Sequence, residues 1–184
     1  MQKLRRKTSA GNVVKKILLS ILFIFTIVTD QLSKYLIAKS FDMHETFTII
    51  ENILYLRYVL NPGIAFGMTP GSPIVMLIIT LIIVIILGFF FLRGKLFPDS
   101  DFAQTAMVFL LGGAVGNLID RIRMLEVVDF IEMGIGNYRW PVYNLADVYV
   151  TIGMFMLVIT LLKSTESDKV LKDPEHINSP EENN

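Results

Sequence analysis

The chain has 184 residues, 53% of them hydrophobic, and a mean hydropathy of +0.55, high for a domain whose surface must carry charge into water; it reads as an integral membrane protein. Seventeen basic and seventeen acidic residues cancel, so nothing points to nucleic acid, and the absence of cysteine removes thiol nucleophiles, disulfides and Cys-based metal sites together. The two histidines, His44 and His176, lie in separate polar segments without paired-ligand spacing, which leaves no basis for a zinc site.

Four apolar stretches, at about 17–38, 74–92, 102–120 and 145–162, each approach the ~20 residues that cross a ~30 Å hydrocarbon core as a helix. The first follows "MQKLRRK" and Lys15–Lys16 and resembles a signal peptide at its start. No small-residue cleavage site follows, and "DQLSKYLIAKS" continues the helix, so it is a retained span. The six Lys and Arg before residue 17 predict a cytoplasmic N-terminus, and an even number of spans returns the C-terminus to that side. Residues 40–72 and 121–144 then face outward.

In the first outer segment, "TFTIIENILYLRYVL" predicts one or two strands at the membrane surface, with Arg57 the only break in its apolar second half. The second span, with Thr80 its only polar side chain, predicts a lipid-facing wall. Pro70–Gly71–Ser72–Pro73 marks a turn before it. In the third span, "GGAVGNLIDR" places Gly112, Gly116 and Asp120 on one helical stripe, which predicts close helix packing in the small-xxx-small manner. "VVDFIEM" predicts a further short strand, and Tyr138 and Trp140 in "NYRWP" suit a membrane interface. The tail from Lys163 is charged and without apolar periodicity, so residues 1–163 form a single membrane domain and 164–184 a disordered cytoplasmic tail.

Ionisable groups inside spans cost roughly 2.5 to 3.5 kcal/mol each at a helix centre, so they mark function or internal pairing. Here they share one face. Asp30 and Lys34 lie in the outer half of the first span at a spacing that allows them to pair. Asp120 and Arg121 close the third span, Asp147 opens the fourth, and Asn61, Asn117, Asp129 and Asn144 lie in or beside the outer segments. A Ser-Lys dyad from Ser33 and Lys34 fails because helix neighbours point about 100° apart. Two carboxylates remain. A shared site raises one pKa, so that one group stays protonated while the other acts as a base on water. A proton-coupled transporter would also explain intramembrane Asp and Lys, but no repeated halves are seen. A purely structural subunit leaves the outer carboxylates unexplained.

The blocks "DQLSK" (30–34), "NPGIAF" (61–66), "GGAVGNLIDR" (112–121), "VVDF" (127–130) and "YNLAD" (143–147), in that order among four spans, resemble the bacterial lipoprotein signal peptidase (signal peptidase II) family. The resemblance implies a four-helix membrane aspartic endopeptidase with a small extracytoplasmic β-cradle. It implies cleavage of diacylglyceryl-modified prolipoproteins before the lipid-bearing cysteine, without metal or organic cofactor, by a monomer working among the lipids of the cytoplasmic (inner) membrane. The catalytic pair maps onto Asp129 and Asp147. The supporting set maps onto Asp30, Lys34, Asn61, Asn117, Asp120, Arg121 and Asn144, with Gly112 in the same block. Asp120 rivals Asp129 for the pair; the family mapping favours Asp129, with Arg121 holding Asp120 ionised in a structural role.

Overall fold

A computed structural model describes residues 2–63, 72–93, 100–136 and 138–172, with side chains placed over 11–63, 72–93, 100–136 and 138–163. In chain order its elements are helix α1 (Gln2–Ser40), strands β1 (Thr46–Ile50) and β2 (Leu54–Asn61), helices α2 (Pro73–Arg93) and α3 (Asp101–Met124), strands β3 (Val127–Ile135) and β4 (Tyr138–Arg139), and helix α4 (Leu145–Lys172). Within the described residues, four helical segments are long and apolar enough to cross a membrane: Gly11–Ser40, Pro73–Arg93, Asp101–Met124 and Leu145–Lys163. The Pro70–Gly71 part of the expected turn and residues 173–184 of the expected tail lie outside the described residues, and residues 164–172, expected as disordered tail, continue helix α4.

Helix α3 is the axis of the bundle. Its most apolar window is 61% buried, against 6%, 11% and 11% for α1, α2 and α4, so the other three wrap it and turn most of their side chains outward. The residues of α3 explain this role, because Gly112, Gly113 and Gly116 let neighbours come close. A Cβ on Gly112 would collide with Thr26 of α1, and one on Gly116 would lie 2.6 Å from Asp30 Oδ2. On the other side, a Cβ on Gly113 would meet Val150 of α4 at 2.8 Å. The α1–α3 seam thus pairs Thr26 with Gly112, Asp30 with Gly116 and Lys34 with Asp120, advancing four residues on each helix at every step. Helix α3 opens on Ser100, whose hydroxyl accepts from Ala103 N at 3.2 Å, a standard N-cap.

The segments between α1 and α2 and between α3 and α4 form one antiparallel sheet of order β1-β2-β3-β4. Strands β1 and β2 join through a tight turn in which Asn52 takes a left-handed backbone (φ 63°), a conformation Asn tolerates better than most residues. The sheet packs on one end of the bundle through Val128 and Phe130 of β3 against Ile37 of α1 and Leu145 of α4. Arg57, the polar break in the apolar run of β2, reaches Glu132 across β2 and β3 at 3.6 Å. The β2–β3 register sets Val59 opposite Asp129 after an irregularity between Leu56 and Val59. That places the carboxylate-bearing part of β3 directly over the bundle.

Candidate active site

Asp30, Lys34, Asp120, Arg121, Asp129 and Asn144 are all buried, which in so apolar a chain requires every charge and dipole to find a partner. At the α1–α3 seam, Lys34 Nζ lies 2.8 Å from Asp30 Oδ2, 2.9 Å from Asp120 Oδ2 and 3.0 Å from Asn117 Oδ1. All three ammonium hydrogens are therefore engaged. Asp30 also accepts from the backbone N–H of Ala146 at 2.9 Å, tying the first turn of α4 to α1. The expected Asp30–Lys34 pair is present, and it is one half of a larger unit. The expectation for Asp120 needs correction, since its ion partner is Lys34. Arg121 points elsewhere and donates to Gly63 O at 2.9 Å. The reason is the helical geometry that also separates Ser33 from Lys34: adjacent residues leave a helix in different directions.

Asp147 belongs to a capping box at the start of α4. Its backbone N–H donates to Asn144 Oδ1 at 3.0 Å, while its own Oδ2 accepts from Asn144 N at 3.2 Å, the reciprocal pattern that satisfies two otherwise orphaned helix donors. Its other oxygen, Oδ1, accepts from Asn117 Nδ2 at 2.8 Å. Asp129, carried by β3, accepts from Asn144 Nδ2 at 2.6 Å on Oδ1 and from Asn61 Nδ2 at 2.7 Å on Oδ2. One asparagine, Asn144, thus caps the helix with its oxygen and bridges to the second carboxylate with its nitrogen. Burial, then the negative charge of Asp147, push the Asp129 carboxyl up to about 7 against the opposing pull of Asn61, Asn144 and the Lys34 charge.

Both carboxylates line one cavity of about 770 Å³. Asn61, Asn117 and Arg121 share its polar end, while Ile79, Ile83, Leu110 and Leu157 carry it down between α2, α3 and α4. Trp140 and Pro141 form part of its wall beside the sheet. The Arg121 guanidinium faces this space with Nε unpartnered among the described residues, under the negative charges of Asp147, Asp129 and Asp120. Asp120 itself is not among the lining residues. Its carboxylate is turned back, taking Lys34 on one side and the Val128 N–H at 3.3 Å on Oδ2, with Gln31 Nε2 at 3.1 Å on Oδ1. Gly112 likewise serves the α1–α3 contact and does not reach the cavity. Among the described residues, no group of three or more His, Cys, Asp or Glu is placed to hold a metal ion.

Sequence reasoning passed over Gln31. Its amide lies within 3.1 to 3.2 Å of Asp120 Oδ1, Gly116 O and Asp30 Oδ2, closing the ring around Lys34. An amide inside an apolar span was the available signal. Thr29 and Tyr149, whose hydroxyls meet at 2.7 Å between α1 and α4, were also missed. Each is ordinary alone and informative only as a pair.

These features define a polytopic membrane protein that presents two hydrogen-bonded carboxylates to a cavity at one end of its bundle. Comparison with known proteins places this arrangement in a family. Residues 22–163 match the family profile described as "Signal peptidase (SPase) II". The chain is 39% identical over 146 residues to the lipoprotein signal peptidases of Staphylococcus aureus strains JH9 and Newman, covering 79% of this chain and 88% of each relative. Two solved structures described as "Bacterial membrane enzyme structure by the in meso method", at 2.3 and 1.9 Å, share 37% identity with it. The first superposes with a TM-score of 0.71 over 81% of this chain and 90% of the other, the second with 0.68 over 79% and 92%. The chain belongs to the signal peptidase II family. Nothing in these similarities favours the transporter reading.

Proposed function

We propose that the chain is an aspartic endopeptidase of the bacterial cytoplasmic (inner) membrane. It removes signal peptides from diacylglyceryl-modified prolipoproteins by cleaving before the lipid-bearing cysteine. The observation that carries this reading is the pairing of Asp129 and Asp147 on one cavity, with every carboxylate oxygen held by an N–H donor. One carboxylate takes a proton from water as the water oxygen attacks the scissile carbonyl carbon. The other, protonated, polarises the carbonyl oxygen. Collapse of the tetrahedral intermediate breaks the C–N bond, and the departing amine takes the proton. The raised proton affinity of Asp129 fits a pair that shares one proton near neutrality.

The apolar length of the cavity suits acyl chains or an apolar signal segment, and its polar end beside the sheet suits the peptide bond. The N- and C-termini lie in the cytoplasm, the carboxylates near the extracytoplasmic face, and the protein acts as a monomer. Purified protein incubated with a diacylglyceryl-modified prolipoprotein cleaves it and leaves the unlipidated form intact. Cleavage of neither by a folded preparation sinks the proposal. Asp129→Asn and Asp147→Asn each abolish cleavage, and normal cleavage by folded Asp129→Asn with a dead Asp120→Asn would reassign the pair.

A further inference from the structure

Three asparagine side chains stand between the carboxylate pair and its surroundings, and each has its amide oxygen engaged by a group that can only donate. Gly63 N donates to Asn61 Oδ1 at 2.9 Å, Asp147 N to Asn144 Oδ1 at 3.0 Å, and Lys34 Nζ to Asn117 Oδ1 at 3.0 Å. An amide fixed in this way turns its NH2 in the other direction. In all three cases that NH2 meets a carboxylate oxygen of the pair, at 2.7, 2.6 and 2.8 Å. For Asn61 and Asn144 the fixing donor is backbone, set by the loop and by the helix cap. For Asn117 it is a side chain from another helix.

We propose that Lys34 is a positioning residue for the reaction: by donating to Asn117 Oδ1 it fixes the amide so that Asn117 Nδ2 delivers an N–H to Asp147 Oδ1. The inference rests on the aspartic reading of the site and gives one supporting residue a defined task. Lys34 suits it because it cannot swing, being held by Asp30 and Asp120 at 2.8 and 2.9 Å. Those carboxylates are themselves fixed by the N–H groups of Ala146 and Val128 and by Gln31. A reversed Asn117 would set Oδ1 against Asp147 Oδ1 and its NH2 against the ammonium, unfavourable at both ends. Asn144 Nδ2, at 3.1 Å from Asn117 Oδ1, supports the same orientation with a neutral donor. The Lys34 charge also reaches Asp129 and lowers its proton affinity. Asp129 is faced in addition by Asn61 from β2, by Asn144 and Asp147 at the start of α4, and by the Arg121 charge from α3.

The test uses full-length protein. Lys34→Met alone strands two buried carboxylates, so the principal variant is Lys34→Met/Asp120→Asn, which keeps the net charge of the buried cluster. It is compared with Asp120→Asn, with Asn117→Ala and with the three changes combined. With [15N]Asn and [13C]Asp labels, solid-state NMR reads the Asn117 Nδ2 to Asp147 carboxyl contact. That contact is present in the wild type and in Asp120→Asn and lost in Lys34→Met/Asp120→Asn. In cleavage assays the same variant loses at least tenfold in kcat beyond Asp120→Asn with KM within twofold, and loses no more in the Asn117→Ala background. An unchanged nitrogen–carboxyl contact, or losses that multiply, overturns the inference. A wild type that fails to cleave refutes the proposed function and leaves the NMR comparison to decide this one.

Discussion

Gly116→Ala is a one-methyl perturbation aimed at the seam that carries the site. The added Cβ would lie 2.6 Å from Asp30 Oδ2, 3.2 Å from Asp30 Cγ and 3.3 Å from the Ala146 Cβ. Ordinary contact begins near 3.4 Å, so about 0.8 Å of room must be found. Asp30 cannot retreat freely, because Oδ2 holds Lys34 at 2.8 Å and Oδ1 holds the Ala146 N–H at 2.9 Å. Overpacking costs about 1–3 kcal/mol and a weakened charged hydrogen bond about 1.5–3 more, against about 1 kcal/mol gained in helix propensity; a net loss of about 1.5–5 kcal/mol remains. Thermal unfolding in detergent, followed by the fluorescence of the single tryptophan, Trp140, reads the loss. Cleavage reads its second effect, since a displaced Asp30 frees the first turn of α4, and with it Asp147; kcat falls at least tenfold. Gly88→Ala is the control. Nothing lies within 4 Å of its added Cβ, and its stability stays level or rises by up to about 1 kcal/mol. A Gly116→Ala protein as stable and as active as wild type refutes the close-packed seam.

Because the Asp129 carboxyl is raised to about 7 in the fold, the folded protein binds the extra proton between the ordinary carboxylate range and neutrality. Its contribution to stability is fully present at low pH and is lost as pH rises through about 7; unfolding midpoints of wild type minus Asp129→Asn, measured from pH 4 to 8, show that slope. Cleavage by a pair that shares one proton falls on an alkaline limb centred near the same pH, and a flat profile across it argues against the shared proton. Asn144→Ala removes a helix cap worth about 1 kcal/mol and a donor to Asp129, so it lowers the unfolding temperature and moves the alkaline limb upward. A limb that stays in place or moves down contradicts the hydrogen bond.

The spans, their order and the strand character of the segments between them were legible because each rests on local composition: an apolar run of membrane length, a shorter run rich in Ile, Leu, Tyr and Val. The convergence of Asp30, Lys34, Asp120, Asp129 and Asp147 on one end was legible for the same reason, since position along a span fixes depth. Which partner each group takes was not. The four-residue step joins Asp30 to Lys34 within one helix, but the second partner of Lys34, Asp120, is reached only across the α1–α3 seam. Arg121 was assigned to Asp120 by adjacency in sequence, and the rotation of α3 sends it to Gly63 instead. The capping box of Asn144 and Asp147 is spelled out in "YNLADV" as a cap residue followed three positions later by a carboxylate. It reads as a helix start from sequence alone; that the same two residues also organise the carboxylate pair depends on β3 bringing Asp129 to them.

Helix α2 stands apart from all of this bonding. Among the described residues, the only hydrogen bond drawn from its side chains is that of Thr80 to its own Met76 carbonyl at 2.8 Å, although Met76, Ile79, Thr80, Ile83 and Leu87 form one wall of the cavity. Of the three helices that line the chamber, α3 and α4 are held to other elements by side-chain hydrogen bonds and ion pairs, and α2, among the described residues, is not. Among the described residues, a tilt of α2 breaks no side-chain hydrogen bond to another element, whereas a comparable shift of α1, α3 or α4 disturbs one that holds a carboxylate. The width of the apolar part of the cavity is thus bounded on one side by a helix whose side chains, among the described residues, hydrogen-bond to no other element.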